Sequence, residues 1–314
     1  MNLRLNEKKL LVFIKRMIVF SLLFVLFVSG NILFATGKPM GKYVGKLEES
    51  WYLPSDHLPI GAKYGSYTVL SWNVLNTAHI SWVMEKDSQG LKDSVIGKQN
   101  ILAEKTDVTL RDLNVIDCIK KMSFDILALQ EAGKPFVEEV RKQLSDTYVV
   151  IYDNYESAVI FNKNVFSFME EEVVNGAFFP CDKRTVQHVV LEDVNKEKIR
   201  IINVHIPGNP SQPCRELFAC HLVLYSNSNE DVIALGDMNF NEIEMKDAFE
   251  KAGIMNRYMH YHPMYCTNIE PFSYISKTID HLFIKSLKSV NILSANEVLL
   301  GLEPLASIIS DEER

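Results

Sequence analysis

Short runs of β-branched, aromatic and aliphatic residues alternate with amphipathic helical patterns from Tyr67 onward. Apolar runs of four to eight residues indicate strands, and apolar residues three and four positions apart indicate helices. The predicted strands are 67–72, 126–129, 148–152, 158–161, 186–191, 199–204, 232–235 and 278–284, and the predicted helices are 110–122, 135–144, 214–225 and 244–252. This alternation predicts an α/β fold.

The first 36 residues have the pattern of a targeting segment. A basic cluster that includes Lys15 and Arg16 precedes the apolar run 17–28, and a small residue, Ala35, follows a second short apolar run. This order is typical of a secretory signal peptide. An uncleaved N-terminal membrane anchor is the alternative, because 17–35 is just long enough to span a thin bilayer. Both interpretations predict an exported protein, with a targeting segment at 1–36, a linker at 37–50 and one domain at 51–314.

The charge of the exported part limits its general affinity for polyanions. Residues 1–35 contain five basic residues and one acid, so removing them takes the formal net charge from −7 to −11. A body this acidic has little general attraction to nucleic acid or anionic lipid. Either can still be a substrate, because a bound cation can supply the local positive charge.

Polar side chains stand where several of the predicted strands end. Asn73 follows an apolar strand in SWNVLN, Glu131 follows one in DILALQEA, and His205 follows one in IRIINVHIPG. Each has a structural alternative as a turn residue or a solvated strand end. In α/β sheets, however, functional sites lie at such strand ends.

Three further segments carry acids, amides or imidazoles in a suggestive pattern. DVIALGDMNF places Asp237 and Asn239 two residues apart after a tight Gly236 turn, where together they could orient a water or hold a phosphate oxygen. Asp280 lies inside the strand of SKTIDHLFIK, where alternation places it with Leu282 and Ile284 on one face. LPSDHLPI contains Asp56-His57, a carboxylate and imidazole pair of the kind used in proton transfer.

Taken in order, these motifs resemble those of the endonuclease/exonuclease/phosphatase superfamily. The superfamily includes pancreatic-type deoxyribonucleases, abasic-site endonucleases, inositol polyphosphate 5-phosphatases and bacterial sphingomyelinases. The resemblance spans roughly residues 53–284, and the segments 155–166 and 183–192 resemble its two central strands. It implies a four-layer α/β sandwich, in which two packed, mostly antiparallel mixed β-sheets are flanked by helices.

One departure from the superfamily pattern concerns the last motif. Its members finish with Ser-Asp-His-x-Pro-Val and a final strand, whereas the chain after Asp280 has no such motif. Instead, SDHLPIGAKYG comes before the first predicted strand. We interpret this as a circular permutation, because the final strand of the fold lies beside the first and a short connection around residues 62–66 can join them. The alternative is that SDHLPI is a coincidental linker.

The resemblance implies a role for each site residue. Glu131 is the main metal ligand, with Asn73 and Asp56 nearby, and the ion is Mg²⁺, with Mn²⁺ or Ca²⁺ as alternatives. Asp237 orients or deprotonates the attacking water, and Asn239 binds a phosphate oxygen. His57, supported by Asp280, gives acid–base or electrostatic help, and His205 contacts the phosphate or the leaving group. Arg184 is a weaker candidate for phosphate contact, and a surface strand residue is its favoured interpretation.

The substrate is the part that the sequence leaves open. A nuclease is the first hypothesis, favoured by the export signal and by His205. A lipid-headgroup phosphatase or phosphodiesterase, acting on phosphoinositides or sphingomyelin, is the second, and a non-catalytic binding module on the same fold is the third. Under both enzymatic hypotheses, the substrate is a phosphate ester, either of a nucleic acid or of a phospholipid headgroup. The sequence indicates no obligate protein partner.

The sequence assigns no role to the cysteines or the remaining histidines. Five cysteines match no zinc-binding spacing, and Cys214 and Cys220 could form a disulfide or remain as two buried thiols. HYHP, at 260–263, contains a His-x-His pattern, but a solvated loop is the favoured interpretation. The other histidines without a role are His79, His188, His221 and His281.

Overall fold

The structure is a computed structural model that describes residues 55, 57–80, 100–104, 106–174, 186–206, 208, 212–225, 229–254, 258–261, 268–269, 276–277, 280–286, 288–293 and 298. All of them lie within the unit Trp51–Arg314. The predicted targeting segment and linker, 1–36 and 37–50, fall outside the described residues, and so do Asp56 and Arg184. Within the described ranges, no helix combines the length and apolar character needed to cross a bilayer.

Two six-stranded mixed sheets form the framework. The first has the order β14-β1-β2-β3-β5-β4 and the second the order β10-β13-β9-β8-β7-β6. Only the central pairs β2–β3 and β8–β9 are parallel among the described strands, and their neighbours are antiparallel. The strands of the first sheet are β1 Ile60–Tyr64, β2 Tyr67–Asn73, β3 Ile126–Gln130, β4 Tyr148–Tyr152, β5 Ala158–Asn162 and β14 Val290–Ile292. Those of the second are β6 Phe166–Val174, β7 Val186–Asp193, β8 Lys198–His205, β9 Asp231–Asp237, β10 Met259–Tyr261 and β13 Asp280–Lys285.

Among the described residues, the remaining elements are four helices, a short helical segment at 77–80 and a small two-stranded sheet. The helices are α1 Leu110–Lys121, α2 Lys134–Leu144, α3 Gln212–Tyr225 and α4 Glu242–Ala252, and the small sheet pairs β11 Asn268–Ile269 with β12 Ser276–Lys277. Capping boxes begin α1 at Thr109 and α4 at Asn241, and left-handed Gly253 ends α4. These are the caps that satisfy backbone groups at helix ends.

Three apolar clusters separate the molecule into four layers. The inner cluster packs residues of the first sheet, such as Val69 and Ile126, against residues of the second, such as Ile201 and Ile233. A second cluster joins α1 and α2 to the outer face of the first sheet, and a third joins α3 and α4 to the outer face of the second. The predicted four-layer α/β sandwich is therefore confirmed, since each sheet buries one face on the other sheet and one face under helices.

Two sequence expectations were wrong. Cys214 and Cys220 both lie on α3, where six residues of helix separate their Cα atoms by about 9 Å along the axis, beyond disulfide reach. Cys220 is an exposed free thiol, and Cys214 is disulfide-bonded. His260, expected in a loop, lies in β10, which pairs with β13.

Candidate active site

The polar residues at the strand ends meet where the two sheets face each other. Register pairs Asn73 of β2 with Gln130 of β3, so that Glu131 follows immediately beside Asn73. In the second sheet, register pairs His205 of β8 with Asp237 of β9. The ends of the two parallel strand pairs therefore place these four predicted residues in one site, as expected for sheets of this kind.

Asp237 is the centre of this site. Its carboxylate is buried, and Oδ2 accepts a hydrogen bond from Asn73 Nδ2 at 3.0 Å. The same oxygen lies 3.6 Å from His57 Nε2 and 3.8 Å from His205 Nε2. The other oxygen, Oδ1, accepts a bond from the backbone N–H of Asn239 at 3.0 Å. Four of the sequence-predicted residues thus surround one carboxylate.

His57 reaches the site from the segment before β1. Its Nδ1 lies 3.0 Å from Asp280 Oδ2, and its Nε2 faces Asp237 Oδ2 at 3.6 Å. Trp72 Nε1 donates to the His57 carbonyl at 2.8 Å. Ser55 Oγ accepts from the His57 N–H at 3.2 Å and donates to the Asn73 carbonyl at 2.7 Å. These bonds attach the segment to the end of β2 and fix the imidazole ring.

Glu131 has a left-handed backbone, φ 56°, that points its side chain back over the end of β2. Its Oε1 accepts from Asn73 Nδ2 at 3.0 Å, and its Oε2 accepts from the backbone N–H of Asn76 at 3.2 Å. A non-glycine residue in this conformation is uncommon and costs on the order of 1–3 kcal/mol. The strain is held by these hydrogen bonds, which also bring Glu131 and Asp237 to the two hydrogens of a single amide.

Two further ionisable residues complete the Glu131 side of the site. His79 Nδ1 lies 2.7 Å from Glu131 Oε2, and its Nε2 lies 3.3 Å from Glu156 Oε1. Glu156 Oε2 in turn lies 3.7 Å from His205 Nδ1, and His205 Nε2 lies 3.5 Å from Glu131 Oε1. Acids and imidazoles therefore alternate in a closed ring of four. Sequence reasoning did not find His79 or Glu156, because each stands in a polar segment with no local pattern.

Asn239 has the second strained backbone of the site, with φ 53°. Its Nδ2 donates to the carbonyl of Ile206 at 2.7 Å, and its side-chain oxygen lies against Gly208. The turn after β9 is thereby fixed to the turn after β8. One hydrogen of the amide is engaged in this bond, and the other is available to an incoming acceptor.

A buried amide network lies beneath the site and connects the two sheets. Gln130 Nε2 donates to Asn203 Oδ1 at 2.8 Å and to Ser71 Oγ at 3.0 Å. Asn203 Nδ2 donates to the Leu129 and Ala158 carbonyls. Buried amides are costly unless they are bonded, so this network fixes the sheets relative to one another below the site.

The surroundings shift the two carboxyl groups in opposite directions. Burial raises the pKa of Asp237 above its ordinary value and Asp280 adds to the rise, while His57, His205 and Asn73 oppose it. Burial alone would also raise the pKa of Glu131, but the His79 hydrogen bond, the two imidazoles and Asn73 hold it below its ordinary value. Asp237 is therefore suited to take up a proton, and Glu131 to remain charged.

The donor set fits a hard divalent cation. Glu131, His205 and Asp237 each offer a ligand atom, and these atoms lie within 4.8 Å of one another; His57, Asp237 and Asp280 form a second such group. Mg²⁺ binds through one or two carboxylates and keeps several waters. Glu131, charged and only partly exposed, is the best suited of these ligands. Asn73 turns its amide nitrogen toward the two carboxylates, and its amide oxygen accepts from the backbone N–H of Leu75 at 3.0 Å, so it acts here as a hydrogen-bond donor that positions the carboxylates.

The structure thus brings together seven of the nine predicted site residues. Asn73, Glu131, His205, Asp237, Asn239, His57 and Asp280 form one connected cluster, and Asp56 and Arg184 lie outside the described residues. His281, beside Asp280, points away from the cluster and bonds to the Phe240 carbonyl at 2.8 Å. The roles of the seven residues remain predictions at this point.

Comparison with known proteins finds similar structures but no similar sequence. No protein-family model and no curated protein matches the chain. A solved structure of humanized D. rerio TDP2 is 16% identical, with 74% of this chain and 84% of that chain covered and a TM-score of 0.47. A mannosyl-6-phosphatase of Bacteroides thetaiotaomicron is 15% identical, with 71% and 86% covered and a TM-score of 0.48. An endonuclease/exonuclease/phosphatase family protein of the same species is 15% identical, with 71% and 84% covered and a TM-score of 0.49. These likenesses assign neither a family nor an activity to the chain.

We expect His79 to orient Glu131 for cation binding. Substituting His79→Ala removes the side-chain partner of Oε2 and leaves only the Asn76 N–H bond to that oxygen among the described contacts, so the affinity for Mg²⁺ is expected to fall about tenfold. His79→Asn keeps a donor near the position of Nδ1 and is expected to recover part of the loss. Calorimetric titration of Mg²⁺ into the three proteins measures the effect. Unchanged binding to the alanine variant would show that His79 does not orient Glu131 for the cation, and tighter binding would show that His79 competes with the cation instead.

Proposed function

We propose that the chain is a divalent-metal-dependent phosphoesterase that hydrolyses phosphodiester bonds. The observation that carries the proposal is the amide of Asn73, which donates to Glu131 and to Asp237 at 3.0 Å each. It holds a charged carboxylate and a buried, proton-accepting one a few ångströms apart, one from each sheet. Imidazoles from His57 and His205 border the same position. Such a site can bind a phosphate through a cation and present a base to a water.

In this proposal, each residue has a distinct part. Asp237 orients the attacking water and accepts its proton, since burial raises the pKa of its carboxyl group. Asn239 directs its second amide hydrogen to a phosphate oxygen. His57, oriented by Asp280, places Nε2 where a protonated ring stabilises the negative charge of the transition state, and His205 contacts the phosphate or the leaving group.

The cation would be held mainly by Glu131, with Asn73 and Asp56 nearby. Mg²⁺, when bound, polarises the scissile phosphate and offsets the charge that develops on it. Mn²⁺ and Ca²⁺ are the alternatives. Arg184 would add a phosphate contact from the segment before β7.

The circular permutation is part of the proposal. Its support is the position of β1, which lies between β14 and β2 in the first sheet and turns directly into β2 at Gly65. The segment before β1 places His57 beside Asp280, 223 residues away in the sequence. A final strand moved to the front of the chain would have this position.

We propose further that the enzyme is exported by residues 1–36 and acts outside the cytoplasm.

A panel of phosphoesters tests the reaction. We expect the full-length chain with Mg²⁺ to hydrolyse bis-p-nitrophenyl phosphate at least about tenfold faster than after treatment with EDTA, and added Mg²⁺ to restore the rate. Plasmid DNA, abasic DNA, sphingomyelin and phosphoinositides then separate the nuclease, which the sequence favours, from the lipid-headgroup enzyme. Hydrolysis that resists EDTA would exclude the metal mechanism, and no hydrolysis of any member would favour a binding module.

A further inference from the structure

A pocket of about 330 Å³ lies directly beside Glu131. Its walls come from the segment after β2, from the segment before α1 and from the first turn of α2. Glu131 belongs to both the pocket and the proposed phosphate site. A phosphoester whose phosphate lies at Glu131 therefore has this pocket next to one of its two alcohol groups. The volume is at the lower end of the range typical of small-molecule sites.

The inner walls are largely apolar, and several of their polar groups are paired with one another. Val74 and Phe136 contribute apolar surface. Arg111 donates to Asp112 at 2.6 Å and to the Val74 carbonyl at 2.7 Å. Thr77 Oγ1 lies 3.0 Å from the same Asp112 carboxylate. The interior thus makes little demand for polar atoms from a ligand.

The rim of the pocket presents a leucine and a carboxylate. Leu102 lines the pocket and is 71% exposed, so its side chain can contact a ligand at the rim. Asp107 is exposed, lines the pocket, and makes no hydrogen bond or ion pair with any residue that the structure describes. The backbone that carries both is fixed, because Ala103 N–H donates to the Val108 carbonyl and Leu110 N–H to the Ile101 carbonyl, each at 2.9 Å.

We propose that this pocket binds the alcohol portion of the substrate, and that this portion is an apolar, positively charged group such as an organic ammonium. The inference rests on the proposed function for the position of the phosphate at Glu131. Apolar walls favour a group with little polar surface, and the carboxylate of Asp107 favours a positive charge. Because Asp112 pairs with Arg111, and Glu131 is engaged by His79 and would hold the metal cation, Asp107 determines the sign of the charge that the described lining residues offer to the alcohol.

The same features disfavour an anionic group in the pocket. A nucleic acid strand would continue from the scissile phosphate with another phosphate one nucleotide away, and that charge would approach Asp107. Like charges repel, and the cationic side chain among the described lining residues, Arg111, is already paired with Asp112. A single phosphodiester with a cationic alcohol is therefore the substrate class that the pocket selects.

Three phosphodiesters of p-nitrophenol test the proposal in the presence of Mg²⁺. Their second alcohol is choline, its neutral isostere 3,3-dimethylbutanol, or the anionic 3-hydroxypropionate. We expect kcat/KM to be highest for the choline ester, about fivefold lower for the neutral isostere and lowest for the anion. Calorimetry with choline phosphate and 3,3-dimethylbutyl phosphate measures the same preference as a ratio of Kd values, independently of turnover.

Two exposed substitutions separate charge from apolar contact. Asp107→Asn is expected to bring kcat/KM for the choline ester close to kcat/KM for the 3,3-dimethylbutyl ester. Leu102→Ser is expected to lower kcat/KM for both esters several-fold and to leave the ratio of the two values unchanged. Asp117→Asn on the exposed face of α1 and Leu224→Ser on α3, a leucine that is also 71% exposed, are the matched controls and should change neither value.

The outcomes distinguish failure of the pocket from failure of the reaction. Equal use of the choline and 3,3-dimethylbutyl esters by the unmodified protein would overturn the inference, and so would a preference that survives Asp107→Asn or a preference for the anion. If no ester is hydrolysed but choline phosphate still binds more tightly than its isostere, the proposed reaction is wrong and the assignment of the pocket stands.

Discussion

Substituting His57→Asn is expected to lower kcat for a phosphodiester by about a thousandfold, while the melting temperature and the affinity for Mg²⁺ stay close to those of the unmodified protein. Asparagine places an amide hydrogen near the position of Nδ1, so the bond to Asp280 is retained. It has no atom at the position of Nε2, which lies 3.6 Å from Asp237. The variant therefore removes the group that faces the reacting atoms and keeps the one that orients it.

The control for this variant is His221→Asn, which changes a partly buried histidine on α3, outside the cluster around Asp237. We expect kcat of this variant to stay within about twofold of kcat of the unmodified protein, because the substitution changes no group near the reacting atoms. If His57→Asn retained more than about a tenth of the activity, His57 would not be part of the catalytic machinery. The proposed permutation would then lose its support from catalysis, because His57 is the residue by which the segment before β1 contributes to the site.

The strand ends were the part of the site that the sequence could predict. Glu131 directly follows an apolar strand, and Asp237 follows one in a Gly-Asp turn. An acid in such a position is visible in the local sequence as a candidate site residue, because burying a carboxylate without a partner is costly. Alternation within β13 was equally informative. Asp280 faces the site, Leu282 and Ile284 lie in the inner cluster, and Phe283 lies under the helices, as the period of two predicts.

The long-range pairs could not be read from local pattern. His57 pairs with a residue 223 positions away, and only the resemblance to a superfamily motif connected the two. His79 lies at the start of a helical segment and Glu156 in a turn, and neither position is unusual for its residue type. A weaker signal existed for the amide network. Gln187 and Asn203 stand inside otherwise apolar strands, where a buried amide requires a partner.

The shape of the site depends on how closely β9 approaches β8 at Gly236. This residue has φ 142°, a conformation that residues with a side chain rarely adopt. A Cβ atom built there would lie 2.0 Å from the carbonyl oxygen of Val204, its register partner on β8. The obstacle is backbone, so it cannot be relieved by a rotamer change. The close approach is what places His205 and Asp237 side by side one residue later.

We therefore expect Gly236→Ala to abolish folding, or to lower the free energy of unfolding by more than about 4 kcal/mol. Denaturant unfolding of the purified variant, or its loss from the soluble fraction, measures the effect. Gly253→Ala is the matched control. It also has a positive φ, 70°, but its Cβ would meet no atom within 4 Å, so only the backbone cost of about 1–2 kcal/mol is expected. If both variants lost the same free energy of unfolding, the positive φ alone would account for the glycine at position 236. The close approach to Val204 would then not be what requires it.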